Sequence, residues 1–124
     1  MGKHILIVED DEDIGRNLKL FLESEGFIAE VVTNGKLALD HLEGAQPLPS
    51  LIFLDLMMPV MDGFEFCMNQ EKDARISSIP VVVMTAAVQL EEKTFSQSVR
   101  ALVKKPFQLE DLLSAIHLHA KSDQ

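Results

Sequence analysis

Short apolar runs of strand length recur along the chain and alternate with segments of helical periodicity. The apolar runs cover residues 4–8, 28–33, 51–54, 80–84 and 101–103. The helical patterns lie between and after them, at about 13–25, 36–42, 64–73, 89–96 and 109–120. This strict alternation predicts five βα units that form one sheet with right-handed crossovers.

The most apolar runs are continuous, as in Ile5-Leu6-Ile7-Val8 and Val81-Val82-Val83-Met84. Strands that are apolar at every position are buried on both faces, which is typical of a parallel sheet between two helical layers, whereas alternation would indicate a sandwich. We therefore predict an α/β fold with an open, doubly wound, five-stranded parallel sheet and five helices. In such a sheet, ligands bind beyond the carboxyl ends of the central strands.

The helical segments also predict which side chains face the sheet. The first begins with acidic residues and ends before Gly26, which suits a helix stop in the C′ position. Periodicity indicates a buried face on the second and third helices that contains Leu37, Leu39 and Leu42, and Phe64, Cys67 and Met68, respectively.

Composition limits the function classes. The chain has 124 residues, of which 47% are hydrophobic, and its 11 Lys and Arg against 20 Asp and Glu give a net charge of −9. This length and apolar content favour one domain over 1–124 that folds alone. The negative charge disfavours binding to nucleic acid or to an anionic membrane. A single cysteine, Cys67, excludes an internal disulfide, and no apolar window suits a membrane span or signal peptide, so we expect a cytoplasmic protein.

Acidic residues follow two of the apolar runs. Glu9, Asp10 and Asp11 follow the first, and Asp55 follows the third. If these strands are neighbours, as in the order 2-1-3-4-5, their carboxylates converge on a small volume and repel one another unless a cation is present. An all-oxygen ligand set favours Mg²⁺ or Mn²⁺, and the lack of a Cys/His cluster argues against zinc.

The fourth and fifth apolar runs end in groups that suit a phosphate. Thr85, a hydroxyl donor, follows the fourth run, and Lys104-Lys105-Pro106 follows the fifth. A hydroxyl, an ammonium and a metal can position a phosphoryl group and neutralise its charge. Because an aspartate can act as a nucleophile, the predicted crevice contains the groups needed for phosphoryl transfer.

These pieces together resemble the receiver domain of two-component response regulators. The matching residues, in chain order, are Glu9-Asp10, Asp55-Leu56-Met57-Met58-Pro59 with Met61-Asp62-Gly63, Thr85-Ala86, and Lys105-Pro106-Phe107. The resemblance covers essentially the whole chain, and four pieces in order at strand ends are specific where each alone is weak. It implies a flavodoxin-like fold and a single-domain form similar to chemotaxis regulators.

The resemblance also implies a role for each matching residue. Asp55 would accept a phosphoryl group from a phosphohistidine of a sensor histidine kinase or histidine phosphotransfer protein. Mg²⁺ would be held by Asp55, by Asp10 directly and by Glu9 through water, together with the backbone carbonyl of Met57. Thr85 and Lys105 would contact the phosphoryl group, and the peptide bond between Lys105 and Pro106 would be cis.

Phosphorylation would then change the surface formed by the fourth helix, fifth strand and fifth helix. We expect a downstream protein target there, no contact with nucleic acid or membrane, and a monomer or a phosphorylation-dependent dimer. One position departs from the family pattern. Leu102, three residues before Lys105, stands where Tyr or Phe is usual, and the chain has no Tyr or Trp, so we expect a weaker or different coupling to this surface.

Two other functions remain open at this stage. A Mg²⁺-dependent phosphohydrolase with an aspartyl nucleophile would need a second Asp two residues after Asp55, where this chain has Met57. A degenerate receiver could act only as a binding scaffold. We do not expect an enzyme beyond self-phosphorylation and slow autodephosphorylation, and a receiver excised from a larger protein would have much the same sequence.

Overall fold

The computed structural model describes residues 2–86 and 97–121. Its five strands form one parallel sheet in the order β2-β1-β3-β4-β5, which confirms the predicted fold class and strand order. The strands are β1 (His4–Val8), β2 (Ile28–Val32), β3 (Leu51–Asp55), β4 (Val81–Thr85) and β5 (Val99–Lys104).

Four helices lie in the described part of the chain, where five were predicted for the whole. They are α1 (Glu12–Ser24), α2 (Gly35–Gly44), α3 (Gly63–Glu71) and α4 (Leu109–His119). The helix predicted at 89–96 lies outside the described residues, so α4 corresponds to the fifth predicted helix. Within the described ranges, no helix is long and apolar enough to cross a membrane.

The sheet separates two apolar cores because successive side chains of a strand point to opposite faces. On one face, Leu6, Val8, Ile52, Leu54, Val81 and Val83 pack with α2 and α3. On the other, Ile5, Ile7, Leu51, Phe53, Val82 and Met84 pack with α1 and α4. Because both faces are covered, the predicted ligand crevice can open only at the end of the sheet.

Local capping sets the limits of α1. The Asp11 carboxylate accepts hydrogen bonds from the amides of Asp13 and Ile14 at 3.0 and 3.1 Å, so it satisfies two donors at the helix start. Beyond the other end, Gly26 adopts φ +94°, a conformation that glycine takes without strain. The predicted stop at Gly26 is therefore confirmed.

The predicted inner faces of α2 and α3 are partly wrong. Leu37 is 45% exposed and Met68 is 58% exposed, whereas Ala38 and Phe66 are fully buried. Both helices are short, with 10 and 9 residues, so each has few apolar positions that could define its rotation about the helix axis. With so few apolar positions, periodicity alone could not define that rotation. Cys67 is buried, as predicted.

Candidate functional site

Three predicted carboxylates meet at the carboxyl end of the sheet. Glu9 and Asp10 directly follow β1, and Asp55 is the last residue of the neighbouring strand β3. Their side chains each offer an oxygen, and these oxygens all lie within 4.8 Å of one another. The parallel register, with Val8 opposite Leu54, produces this arrangement because it brings both strand ends to the same level.

The three carboxylates differ in their access to solvent. Glu9 is fully buried and Asp55 is 6% exposed, whereas Asp10 is exposed. The backbone of Glu9 is fixed by its amide, which donates to the carbonyl of Val32 in β2 at 3.0 Å. The cluster thus has two buried acids at its base and one at the surface, which leaves an approach from solvent beside Asp10.

Lys105 reaches the same cluster from the end of β5. Its Nζ donates to Glu9 Oε1 at 2.8 Å and lies 3.7 Å from Asp55 Oδ2. Its backbone amide donates to the carbonyl of Thr85 at 2.8 Å, and the Lys105–Pro106 peptide bond is cis, as the family resemblance implies. The sequence predicts that this ammonium lies at the carboxyl end of the sheet, but it does not predict Glu9 as its hydrogen-bond partner.

Burial and crowding change the acidity of these groups. The pKa of Asp55 is raised from an ordinary 3.8 to about 7, chiefly because burial disfavours the charged carboxylate, with a further contribution from Glu9. Lys105 and the amide of Met57 act in the opposite direction. For Lys105, burial acts to lower the pKa, but Glu9 and Asp55 outweigh it, so the pKa is raised above its usual value.

This donor set fits a hard divalent cation. Every member of the cluster is a carboxylate, and neither cysteine nor histidine is part of it. One ammonium cannot neutralise three carboxylates, and the burial of Asp55 beside Glu9, which raises the pKa of Asp55, makes its charged form costly without a further cation. Mg²⁺ or Mn²⁺ bound by Glu9, Asp10 and Asp55 would supply it, since these ions prefer oxygen ligands.

The loop between β3 and α3, residues 56–62, forms one wall of the cluster. The Met57 amide donates to Asp55 Oδ1 at 3.3 Å, which holds the carboxylate against the loop. Gly63 closes the loop, since its amide donates to the carbonyl of Leu56 at 3.0 Å. The Met57 side chain is 74% exposed. The ligand role of its carbonyl stays a prediction.

Thr85 and Leu102 lie behind the cluster on the last two strands. Thr85 ends β4 and is 2% exposed, one residue beyond Met84, which is the register partner of Asp55. Leu102 lies opposite Val83 in β5 and is half-buried against the core between the sheet and α3. A leucine therefore fills the position that is usually aromatic in the family.

An apolar groove of about 460 Å³ borders the cluster on the Lys105 side. It runs between the start of α1 and the segment that leads into α4, and its walls include Ile14, Leu18, Phe107 and Leu109. The sequence pattern did not predict this groove. Its side chains come from segments about 90 residues apart. The apolar periodicity of each helix was the one signal in the sequence that these side chains could line a common groove.

The pairing of Lys105 with Glu9 leads to a stability prediction. Lys105→Met should lower the free energy of unfolding by roughly 3 kcal/mol at pH 8 without divalent cations, because two buried carboxylates lose their cation. Urea denaturation followed by circular dichroism measures this. Lys104→Met is the matched control, because Lys104 is exposed on the adjacent position. Equal stability of the two variants would contradict the proposed importance of the buried pair.

Comparisons with known proteins agree with this geometry. Residues 5–117 match the family model described as response regulator receiver domain. An uncharacterized transcriptional regulatory protein, YkoG of Bacillus subtilis, is 39% identical over 115 residues, which are 91% of this chain and 49% of that protein. The chain thus spans about half the length of this relative.

Two solved structures have the same fold as this chain. A sensor protein from Polaromonas sp. JS666 matches with a TM-score of 0.83 and 32% identity over 94% of each chain. The receiver domain of sensor histidine kinase PA1611 from Pseudomonas aeruginosa, solved with a magnesium ion coordinated in its active-site cleft, shares the fold at a TM-score of 0.84 and 21% identity, over 96% of this chain and 98% of that one. The sequence motifs, the strand order and the matched family model agree, and this chain belongs to the response regulator receiver domain family.

Proposed function

We propose that Asp55 accepts a phosphoryl group from a phosphohistidine of a sensor histidine kinase or a histidine phosphotransfer protein. The observation that carries this proposal is the juxtaposition of Glu9, Asp10 and Asp55, whose oxygens lie within 4.8 Å of one another, with Lys105 Nζ only 3.7 Å from Asp55 Oδ2. This geometry supplies a nucleophile, a cation site and a fixed positive charge at one point.

In the proposed step, an Asp55 carboxylate oxygen attacks the phosphorus atom. The new O–P bond forms as the N–P bond to the donor imidazole breaks, and the imidazole takes the bonding electrons as it leaves. A bound Mg²⁺ would neutralise phosphoryl oxygens during this transfer. The chain itself orients the nucleophile, through the Met57 amide, and offers Lys105 as a charge partner for the phosphoryl group.

The product would carry roughly −1.5 to −2 charge where Asp55 carried at most −1. Lys105 then has a stronger partner than Glu9, and the nearly buried Thr85 has a hydroxyl at the end of the adjacent strand. We propose that these two side chains move toward the phosphoryl group and that β5 and α4 follow. The fourth predicted helix, the remaining part of the expected output surface, lies outside the described residues. With Leu102 in place of an aromatic residue, this coupling would rely on aliphatic repacking.

The apolar groove suits the phosphodonor protein. Lys105 belongs to both the groove and the acidic cluster, so a protein that presents a phosphohistidine to Asp55 must cover part of the groove. Ile14 and the exposed Leu109 would supply apolar contact there, while exposed acidic residues at the start of α1 would favour a basic rim on the donor.

The output partner is a separate question. We propose that the signal passes by protein contact and that the chain does not turn over external phosphoesters. The expected lack of nucleic-acid contact is not confirmed, because the Bacillus relative is named a transcriptional regulatory protein and this chain spans 49% of it.

A magnesium titration tests the proposed function. Wild-type protein incubated with acetyl phosphate and Mg²⁺ should gain one phosphoryl group in the intact mass spectrum. Asp10→Asn should raise the Mg²⁺ concentration for half-maximal phosphorylation by roughly tenfold, since it removes one charged oxygen ligand. Glu12→Gln is the matched control, because Glu12 is an exposed acid in α1 and is not part of the cluster. Equal Mg²⁺ dependence of the two variants would contradict the assigned role of Asp10.

A further inference from the structure

The β3–α3 loop makes one tight contact outside its own segment. Met61 accepts a hydrogen bond on its carbonyl from the amide of Gly35, the first residue of α2, at 3.0 Å. Its side chains are anchored unevenly: Leu56 is buried and Met58 and Met61 pack against the core, whereas Met57 and Val60 are each 74% exposed. The Gly35 contact adds a backbone hydrogen bond that ties the loop to the start of α2.

The contact leaves no room for a side chain on Gly35. A Cβ there would lie 2.8 Å from the Met61 carbonyl oxygen, 2.9 Å from Met61 Cγ and 3.1 Å from Met61 Sδ. The side-chain atoms could rotate away, but the carbonyl oxygen could move only if the backbone of the loop moved with it. The close approach of the loop therefore accounts for glycine at the first position of α2. Glycine has a low helix propensity, so the helix itself does not favour it there.

The loop is stiff enough to pass such a movement to the acidic cluster. The Met61 amide donates to the carbonyl of Pro59 at 2.7 Å, which closes a three-residue turn with Val60 at φ +68°, an uncommon and strained conformation for a β-branched residue. Pro59 restricts its own φ, and the amide of Gly63 fixes Leu56 at the other end. Met57, whose amide holds Asp55, lies between these two fixed points.

We infer that Gly35 is a positioning residue for phosphorylation: through the Met61 carbonyl, the start of α2 sets where the β3–α3 loop presents Met57 and Asp55 to the metal and the phosphodonor. This inference rests on the proposed function. It extends the site to a residue that contacts neither metal nor phosphoryl group and that lies on a helix outside the acidic cluster.

The test compares two glycines of the same helix. Gly35→Ala should weaken Mg²⁺ binding, measured by isothermal titration calorimetry without a phosphodonor, by about fivefold, and should slow phosphorylation from acetyl phosphate by about tenfold, because small displacements of reacting groups are costly. Gly44→Ala is the matched control, since a Cβ at Gly44 meets nothing within 4 Å, and it should leave both quantities unchanged. A Gly35→Ala variant that unfolds more readily yet binds Mg²⁺ and reacts like the wild type would overturn the inference.

A second pair of variants covers the case in which Gly35→Ala does not fold. Met61→Ala removes the Cγ and Sδ atoms from the crowded contact and leaves the carbonyl oxygen in place. The double variant Gly35→Ala/Met61→Ala keeps only the carbonyl contact, so it should fold more readily than Gly35→Ala and still bind Mg²⁺ about fivefold more weakly than Met61→Ala alone. Equal affinities would contradict a role for the carbonyl. If wild-type protein is not phosphorylated at all, the proposed function fails, whereas normal phosphorylation of Gly35→Ala rejects only the positioning role.

Discussion

Asp55→Asn is expected to abolish phosphoryl incorporation from acetyl phosphate and Mg²⁺, with a loss of at least about a hundredfold in rate. The amide of asparagine is not nucleophilic, whereas the ionised carboxylate of Asp55 is. The substitution keeps the shape of the side chain and an oxygen that can accept from the Met57 amide, as Asp55 Oδ1 does at 3.3 Å. Intact-mass spectrometry measures the loss directly.

Asp40→Asn is the matched control for this experiment. Asp40 is exposed on α2, where it pairs with Lys36 at 3.5 Å, and it should be irrelevant to phosphorylation. Continued phosphorylation of the Asp55→Asn protein would show that the phosphoacceptor is another residue. Steady release of phosphate from a generic phosphomonoester by the wild type would instead favour the phosphohydrolase that Met57 argues against.

The second large effect concerns stability without divalent cations. Because the pKa of Asp55 is raised to about 7 in the folded protein, the folded state binds more protons than the unfolded state between pH 3.8 and about 7. The contribution of Asp55 to the free energy of unfolding therefore falls as the pH rises through this window, and it levels off above it. At pH 8 with a chelator present, the ionised Asp55 carboxylate should therefore destabilise the folded protein.

Asp55→Asn should remove this destabilisation. We expect the variant to be more stable than the wild type by about 4 kcal/mol at pH 8 in EDTA, and nearly equal to it near pH 4, where the Asp55 carboxyl is neutral in the folded state. Urea unfolding at a series of pH values gives the difference between the two proteins, in which titrations common to both cancel. A difference that does not change with pH would contradict the raised pKa.

Magnesium should reverse part of this difference. A cation that binds the folded state alone stabilises it, and the wild type offers it one more carboxylate than the variant does. Saturating Mg²⁺ at pH 8 should therefore stabilise the wild type more than Asp55→Asn. If Mg²⁺ stabilised the two proteins equally, Asp55 would not be a ligand.

The alternation of apolar runs and helical patterns was enough to predict a parallel sheet covered by helices, because a strand buried on both faces must be apolar throughout and parallel strands require crossovers. The strand order came with the family resemblance. It failed at Leu37 and Met68, whose helices are short and have few apolar positions to define an inner face. Residues at strand ends were predicted well for the same topological reason: Glu9, Asp10, Asp55 and Lys105 reach one edge whatever the details of packing.

The sequence by itself determined the chemistry that is available at that edge: carboxylates, a hydroxyl, an ammonium and the family they indicate. Only the tertiary structure decided which of them touch. It buried Glu9 completely, paired it with Lys105 at 2.8 Å and raised the pKa of Asp55 to about 7. It also placed Gly35 against Met61. These relations depend on ångström-scale distances between residues far apart in the chain, and electrostatic and steric energies change steeply over such distances, whereas local sequence patterns carry no record of them.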